Sequence, residues 1–165
     1  MKLLVCLLSM SLLLAGCLPF QTNTNGTPPP FRKILIVSKL SRISPNYLVQ
    51  FANSFPVRYD VCTVDVGPLS FGNPDSLIRE AAKSCQSEVV LTISQGRSGE
   101  IASGRSYRGV DDIFAEMATY PDRKPFWKGL TVGAFQQTDP VEPRIIVRQL
   151  LKDRVISGPT PTGSY

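Results

Sequence analysis

A single α/β domain of two or three layers, with a mixed, mostly parallel sheet and about four helices, is the fold class this sequence predicts. Two observations carry that reading. From residue 32 onward the hydrophobic period switches repeatedly between that of a strand and that of a helix. The first segments also follow the order β-α-β-α-β, whose default arrangement is parallel strands joined by right-handed crossovers. Length agrees: a chain of 165 residues, even without an apolar leader, is one domain's worth and buries a real core.

Residues 32–38 (RKILIVS) form a short run of branched apolar side chains between polar ones, as in a strand buried on both faces. Ser44 and Pro45 then read as an N-cap and first helical position, ahead of Leu48, Phe51, Ala52 and Phe55 on one helical stripe. Pro56 stops that helix, and residues 57–66, rich in valine, tyrosine and threonine, read as a second strand. Asn73 and Pro74 cap and start a second helix with Leu77, Ile78, Ala81, Ala82 and Cys85 on its core side. A third buried strand follows at residues 88–94.

The glycine- and serine-rich stretch 95–109 predicts an exposed hairpin or loop with weakly specified register. Val110, Ile113, Phe114, Met117 and Ala118 have helical spacing and predict a third, short helix. Residues 126–135 (FWKGLTVGAF) alternate as a strand, with Trp127 taken as core. A last helix starts at Asp139 or Glu142, beside Pro140 or Pro143, and carries Ile146, Val147, Leu150 and Leu151. Val155 and Ile156 add a short edge strand, and residues 158–165 (GPTPTGSY) read as a flexible tail.

The chain opens MKLLVCLLSMSLLLAGC: a positive charge at Lys2, an apolar run to Ala15, then Gly16 and Cys17. That is the layout of a secretion signal, too short for the roughly 20 residues a spanning helix needs. Leu14-Ala15-Gly16-Cys17 resembles the lipobox of bacterial lipoprotein precursors. The resemblance implies cleavage after residue 16, lipidation of Cys17 and anchoring of the mature chain in a membrane, the several acyl chains making that anchor stable. Leu18, standing where an aspartate would otherwise redirect sorting, implies the periplasmic face of the outer membrane. Residues 17–30, polar and ending in three prolines, then read as the lipidated cysteine and a disordered tether, leaving 31–157 as the folded domain.

The domain itself is similar to small α/β domains of periplasmic lipoproteins of unknown function and of lipoprotein cofactors of cell-wall synthases. The similarity rests on the patterns AAKSCQSEVVLTIS, PFWKGLTVGAF and IIVRQLLKDRVISG. It implies no catalytic residue.

Chemistry is bounded mostly by what is missing. With no histidine in the chain, histidine-based triads, dyads and metal sites are excluded. The glycines of Gly104 and Gly109 have P-loop spacing but continue Val-Asp where Lys-Ser/Thr is required. Asp111, Asp112 and Glu116 read as a solvated face before they read as paired catalytic carboxylates. Cys62 and Cys85 are either a disulfide, which an oxidising compartment permits, or small buried side chains. Arg97, Arg105 and Arg108 offer guanidinium forks to a carboxylate or phosphate. The net charge of +5 is too mild and too interspersed for nucleic acid.

These readings predict a noncatalytic, membrane-anchored envelope lipoprotein that binds or positions a protein partner, without a cofactor. The alternative is a module for an anionic ligand or cell-wall polymer, held through the loop 95–109.

Overall fold

The structure is a computed structural model that describes residues 20–103, 106–134 and 141–161, with the backbone alone for 97–103, 106–111 and 132–134. In chain order the elements are β1 (Phe20–Thr24), β2 (Lys33–Lys39), α1 (Tyr47–Ser54), β3 (Asp60–Asp65), α2 (Pro74–Ser84), β4 (Val89–Ser103), β5 (Ser106–Thr119), β6 (Pro125–Ala134) and α3 (Pro143–Lys152). The six strands make one sheet in the order β1-β6-β5-β4-β2-β3.

The predicted β-α-β-α-β half is present: β2 pairs parallel with both β3 and β4. In β2, Ile34 through Val37 are fully buried, because the strand is covered on both faces. Ile34 and Ile36 join the core under α1 and α3, with Phe51, Leu91, Met117, Trp127, Ile146 and Leu150. Leu35 and Val37 join the smaller core under α2, with Val66, Ile78 and Ala82. The domain is therefore three-layered across this half. Helix α2 starts as its sequence dictates, Asn73 Oδ1 accepting from the N–H groups of Asp75 (2.9 Å) and Ser76 (3.3 Å), with Pro74 in the first turn. Helix α1 begins at Tyr47, later than Ser44 and Pro45 suggest. Its start is held by the Tyr47 N–H donating to Ser44 O, with no side-chain cap at Asn46.

The rest of the structure corrects five expectations. Residues 110–118 are not a helix but part of β5, paired antiparallel to β4 and β6. Ile113, Ala115 and Met117 point into the core, and their alternation wins because both neighbouring strands satisfy the backbone. The sheet is consequently mixed but not mostly parallel, and three helices, rather than four, stand among the described residues. Residues 17–30 are not wholly a tether, for Phe20–Thr24 pairs along β6 from Thr131 to Trp127. Finally, Val155 and Ile156 make no edge strand. After α3 the chain turns through Arg154, at φ +58°, and the Val155 N–H donates back to Leu150 O, burying both apolar side chains beneath the helix.

Trp127 ties these parts together. It is fully buried, stacks on Phe20 with ring centroids 6.3 Å apart, and donates from Nε1 to Asp153 Oδ2 at 2.8 Å. Gly129 makes room for the stack: a Cβ there would stand 2.6 Å from the Phe20 ring and 2.7 Å from that of Trp127.

Cys62 in β3 and Cys85 at the C-cap of α2 form a disulfide, with Cα atoms 6.3 Å apart and a sequence separation of 23. Closing a loop of that length restricts the unfolded chain by about 3 kcal/mol in the chain-entropy account. The double variant Cys62→Ser, Cys85→Ser is expected to lose a stability of that order in urea unfolding. An unchanged midpoint would show that the bridge contributes nothing.

At the opposite end of β3 and β2 from the loops that follow them, Glu88 clamps the sheet. Its Oε2 accepts from the backbone N–H of Arg32 and, at 3.0 Å, of Lys33. These two hydrogen bonds, Arg32 first, hold the Glu88 carboxyl below its ordinary value of 4.5. A carboxyl lowered by folding stabilises above its unfolded pKa and loses that contribution as pH falls through the folded value. Glu88→Gln is therefore expected to be less stable than the parent at neutral pH, with the difference closing below pH 4.5. Urea midpoints measured across that range check it, and parallel curves contradict it.

Candidate functional site

The two faces of β4, β5 and β6 are treated differently by the chain. Helices α1 and α3 cover one. On the other, α2 sits over β2 and β3 and leaves the antiparallel strands beside it open. The result is a groove of about 460 Å³ between α2 and the open face. Its floor carries Val90, Thr92 and Ser94 of β4 and Phe114, Glu116 and Ala118 of β5. Asp75 and Ile78 of α2 form one wall, and Tyr120, Arg123 and Lys128 lie at its margin.

Phe114 is the apolar centre of this surface, 44% exposed although it lies within a central strand. It is paired with Ser94 on one side and Leu130 on the other, and its ring covers Gly96, where a Cβ would collide with it. Glycine at that position, next to the register shift between Gln95 and Ser98, is what allows the ring to lie flat across the strand. Around it the charges are matched. Lys128 Nζ stands 2.9 Å from Glu116 Oε2, a directly opposed cross-strand pair, and Arg123 stands 3.8 Å from Asp75. Both pairs are well exposed and contribute little to stability. Their effect is to leave the groove amphipathic and nearly charge-balanced, with Lys39 as a further cation on its rim.

Of the residues singled out in the sequence, Cys17 and Arg105 lie outside the described residues. Arg97 and Arg108 sit on the backbone of β4 and β5, Arg97 at the register shift and Arg108 opposite Ile101, and their side chains are outside the description. Asp112 and Glu116 share the open face of β5, but Glu116 is engaged with Lys128, and no group of three or more metal-ligating side chains occurs among the described residues. No described helix is long and apolar enough to cross a membrane. Sequence reasoning missed the groove entirely. The signal was present as the alternation of Phe114, Glu116 and Ala118 against Ile113, Ala115 and Met117, obscured by the helical spacing of the same segment.

Fold and site together define a class: a mixed α/β sheet whose parallel half is covered on both faces and whose antiparallel half is covered on one. Among solved structures the chain is similar to the PelC dodecamer from Paraburkholderia phytofirmans, with 15% identity and a TM-score of 0.46 over 80% of this chain and 96% of that one. It is also similar to lipoprotein GNA1162 from Neisseria meningitidis, with 12% identity and a TM-score of 0.43 over 74% of this chain and 97% of that one. No protein-family model matches the chain, and no curated protein matches it.

Proposed function

We propose that this chain is a noncatalytic envelope lipoprotein, held by lipid on Cys17 at the periplasmic face of the outer membrane, that binds a segment of a protein partner in the groove beside α2. The observation carrying the partner is the groove's character. A half-exposed Phe114 at its centre, with acidic and basic side chains paired around it, matches a peptide's mixture of apolar and polar groups. A small anion would instead favour a site of unmatched cations, and here Glu116 and Asp75 neutralise Lys128 and Arg123. The lipobox around Cys17 and the leader before it support the anchor.

A photo-crosslinking residue in place of Phe114, in intact cells, is expected to give a discrete protein adduct. The same residue at Val49, 57% exposed on α1 and away from the groove, is expected to give none. Equal labelling at both positions, or none at Phe114, would remove the groove as a partner site.

A further inference from the structure

We infer that the seam between α1 and α3, on the face of the sheet opposite the groove, is a second binding site, and that it takes a phosphate group in the grip of Arg148. Helix α1 reads YLVQFANS and carries no charged side chain. Helix α3 reads PRIIVRQLLK, which sets Arg144, Arg148 and Lys152 a turn apart on one exposed stripe. The acids nearby leave this stripe cationic. Asp153 spends its two oxygens on the Trp127 indole at 2.8 Å and the Gln149 amide at 2.9 Å, and Glu142 stands at the start of α3, beyond Arg144. No ion pair among the described residues involves Arg148 or Lys152.

A cavity of about 190 Å³ opens at the middle of the stripe, lined by Asn53 of α1, by Arg144, Arg148 and Leu151 of α3, and by Thr160 of the segment that follows. No carboxylate among the described residues lines it. Its outer wall is held in place. Past α3 the chain turns at Gly158, at φ +115°, where a Cβ would stand 3.2 Å from Pro56 and 3.4 Å from Arg58. The residue before it, Ser157, donates its N–H to Tyr59 Oη at 3.0 Å and accepts at its hydroxyl from Arg58 Nη1 at 2.9 Å. Thr160 is thereby laid against the two helices.

Size and donors select the ligand. At about 30 Å³ for each water-sized group, the cavity takes roughly six non-hydrogen atoms, a phosphate and the carbon that bears it, and not a peptide segment. The donors are the guanidinium forks, the Asn53 amide and the Thr160 hydroxyl, since the Ser54 hydroxyl already donates to Gln50 O at 2.7 Å. A phosphate monoester brings close to two charges and three acceptor oxygens, whereas a carboxylate brings one charge and two oxygens. A stripe of three cations favours the phosphate. The groove beside α2, with its paired charges, has no such preference.

The test titrates the full chain at constant ionic strength with inorganic phosphate, glycerol 3-phosphate, acetate and tri-glutamate, read by backbone amide chemical shifts. Both phosphates are expected to move the resonances of Asn53, Arg148 and Thr160 in one saturable process, and acetate to move them far less. Arg148→Gln is expected to weaken phosphate binding about tenfold or more, the loss of one charge-assisted pair. Arg148→Lys, which keeps the charge without the fork, is expected to fall between that variant and the parent. Arg79→Gln, exposed on α2 away from the seam, is expected to bind as the parent does. Tighter binding of glycerol 3-phosphate assigns the site to phosphate carried on an organic group, and equal or weaker binding assigns it to free phosphate. Four results overturn the inference: neither phosphate saturates, acetate matches phosphate, the Arg148 variants bind as Arg79→Gln does, or tri-glutamate binds more tightly than phosphate. The last would give the seam to an acidic protein segment instead.

Discussion

Trp127→Ala is expected to destabilise the domain by about 3–5 kcal/mol, the range for deleting a large aromatic side chain from a packed core. The value is expected at the upper end because three things are lost together. A fully buried ring leaves a cavity, the Phe20 ring loses the surface it stacks on, and Asp153 Oδ2 loses its indole donor. Asp153 keeps Gln149 Nε2 at 2.9 Å on its other oxygen, so Trp127→Phe, which retains most of the volume, is expected to cost markedly less. Urea unfolding gives the two values, and hydrogen exchange of residues 20–24 reports the second consequence, release of β1 from the sheet edge. A loss below about 1 kcal/mol would mean that the site collapses around the cavity, contrary to the close packing of Phe20, Trp127 and Gly129.

Cys17→Ser is expected to move the protein wholly from the membrane fraction to the soluble periplasm. Each buried methylene contributes about 0.8 kcal/mol, so several acyl chains anchor stably. Labelled palmitate is expected on the parent and absent from the variant. Cys62 and Cys85 serve as internal controls, because their sulfurs are bonded to each other. Retention of the unlabelled variant in the membrane would place the attachment elsewhere and withdraw the anchor from the proposed function. The same variant leaves the groove untouched, so crosslinking from Phe114 then reports whether a partner needs the protein at the membrane.

The groove and the antiparallel half of the sheet mark where reading the sequence stops. The segment around Ile113 has apolar residues at helical spacing through Phe114 and Met117, and also at every second position through Ala115. Local pattern does not separate the two. What separates them is the presence of β4 and β6 on either side, whose N–H and C=O groups need partners. That one reassignment changes the topology. As a helix, the segment would make β4 and β6 parallel across a crossover. As a strand, it joins them through turns too short for a crossover, so the half-sheet must be antiparallel. With no further helix among the described residues to cover it, its outer face stays open, and the groove follows.

The doubly buried strand from Lys33 to Lys39, the Asn73-Pro74 helix start and the core role of Trp127 were legible in the linear chain, since each depends on a local cap or period. The edge strand at Phe20, the antiparallel half of the sheet, the disulfide between Cys62 and Cys85, and the meeting of Phe114 with α2 were decided only by the tertiary structure. The physical reason is common to them. A polar stretch such as FQTNT becomes a strand because Trp127 and Gly129 offer its phenylalanine a place to stack, and no property of the stretch by itself records that another part of the chain will be there.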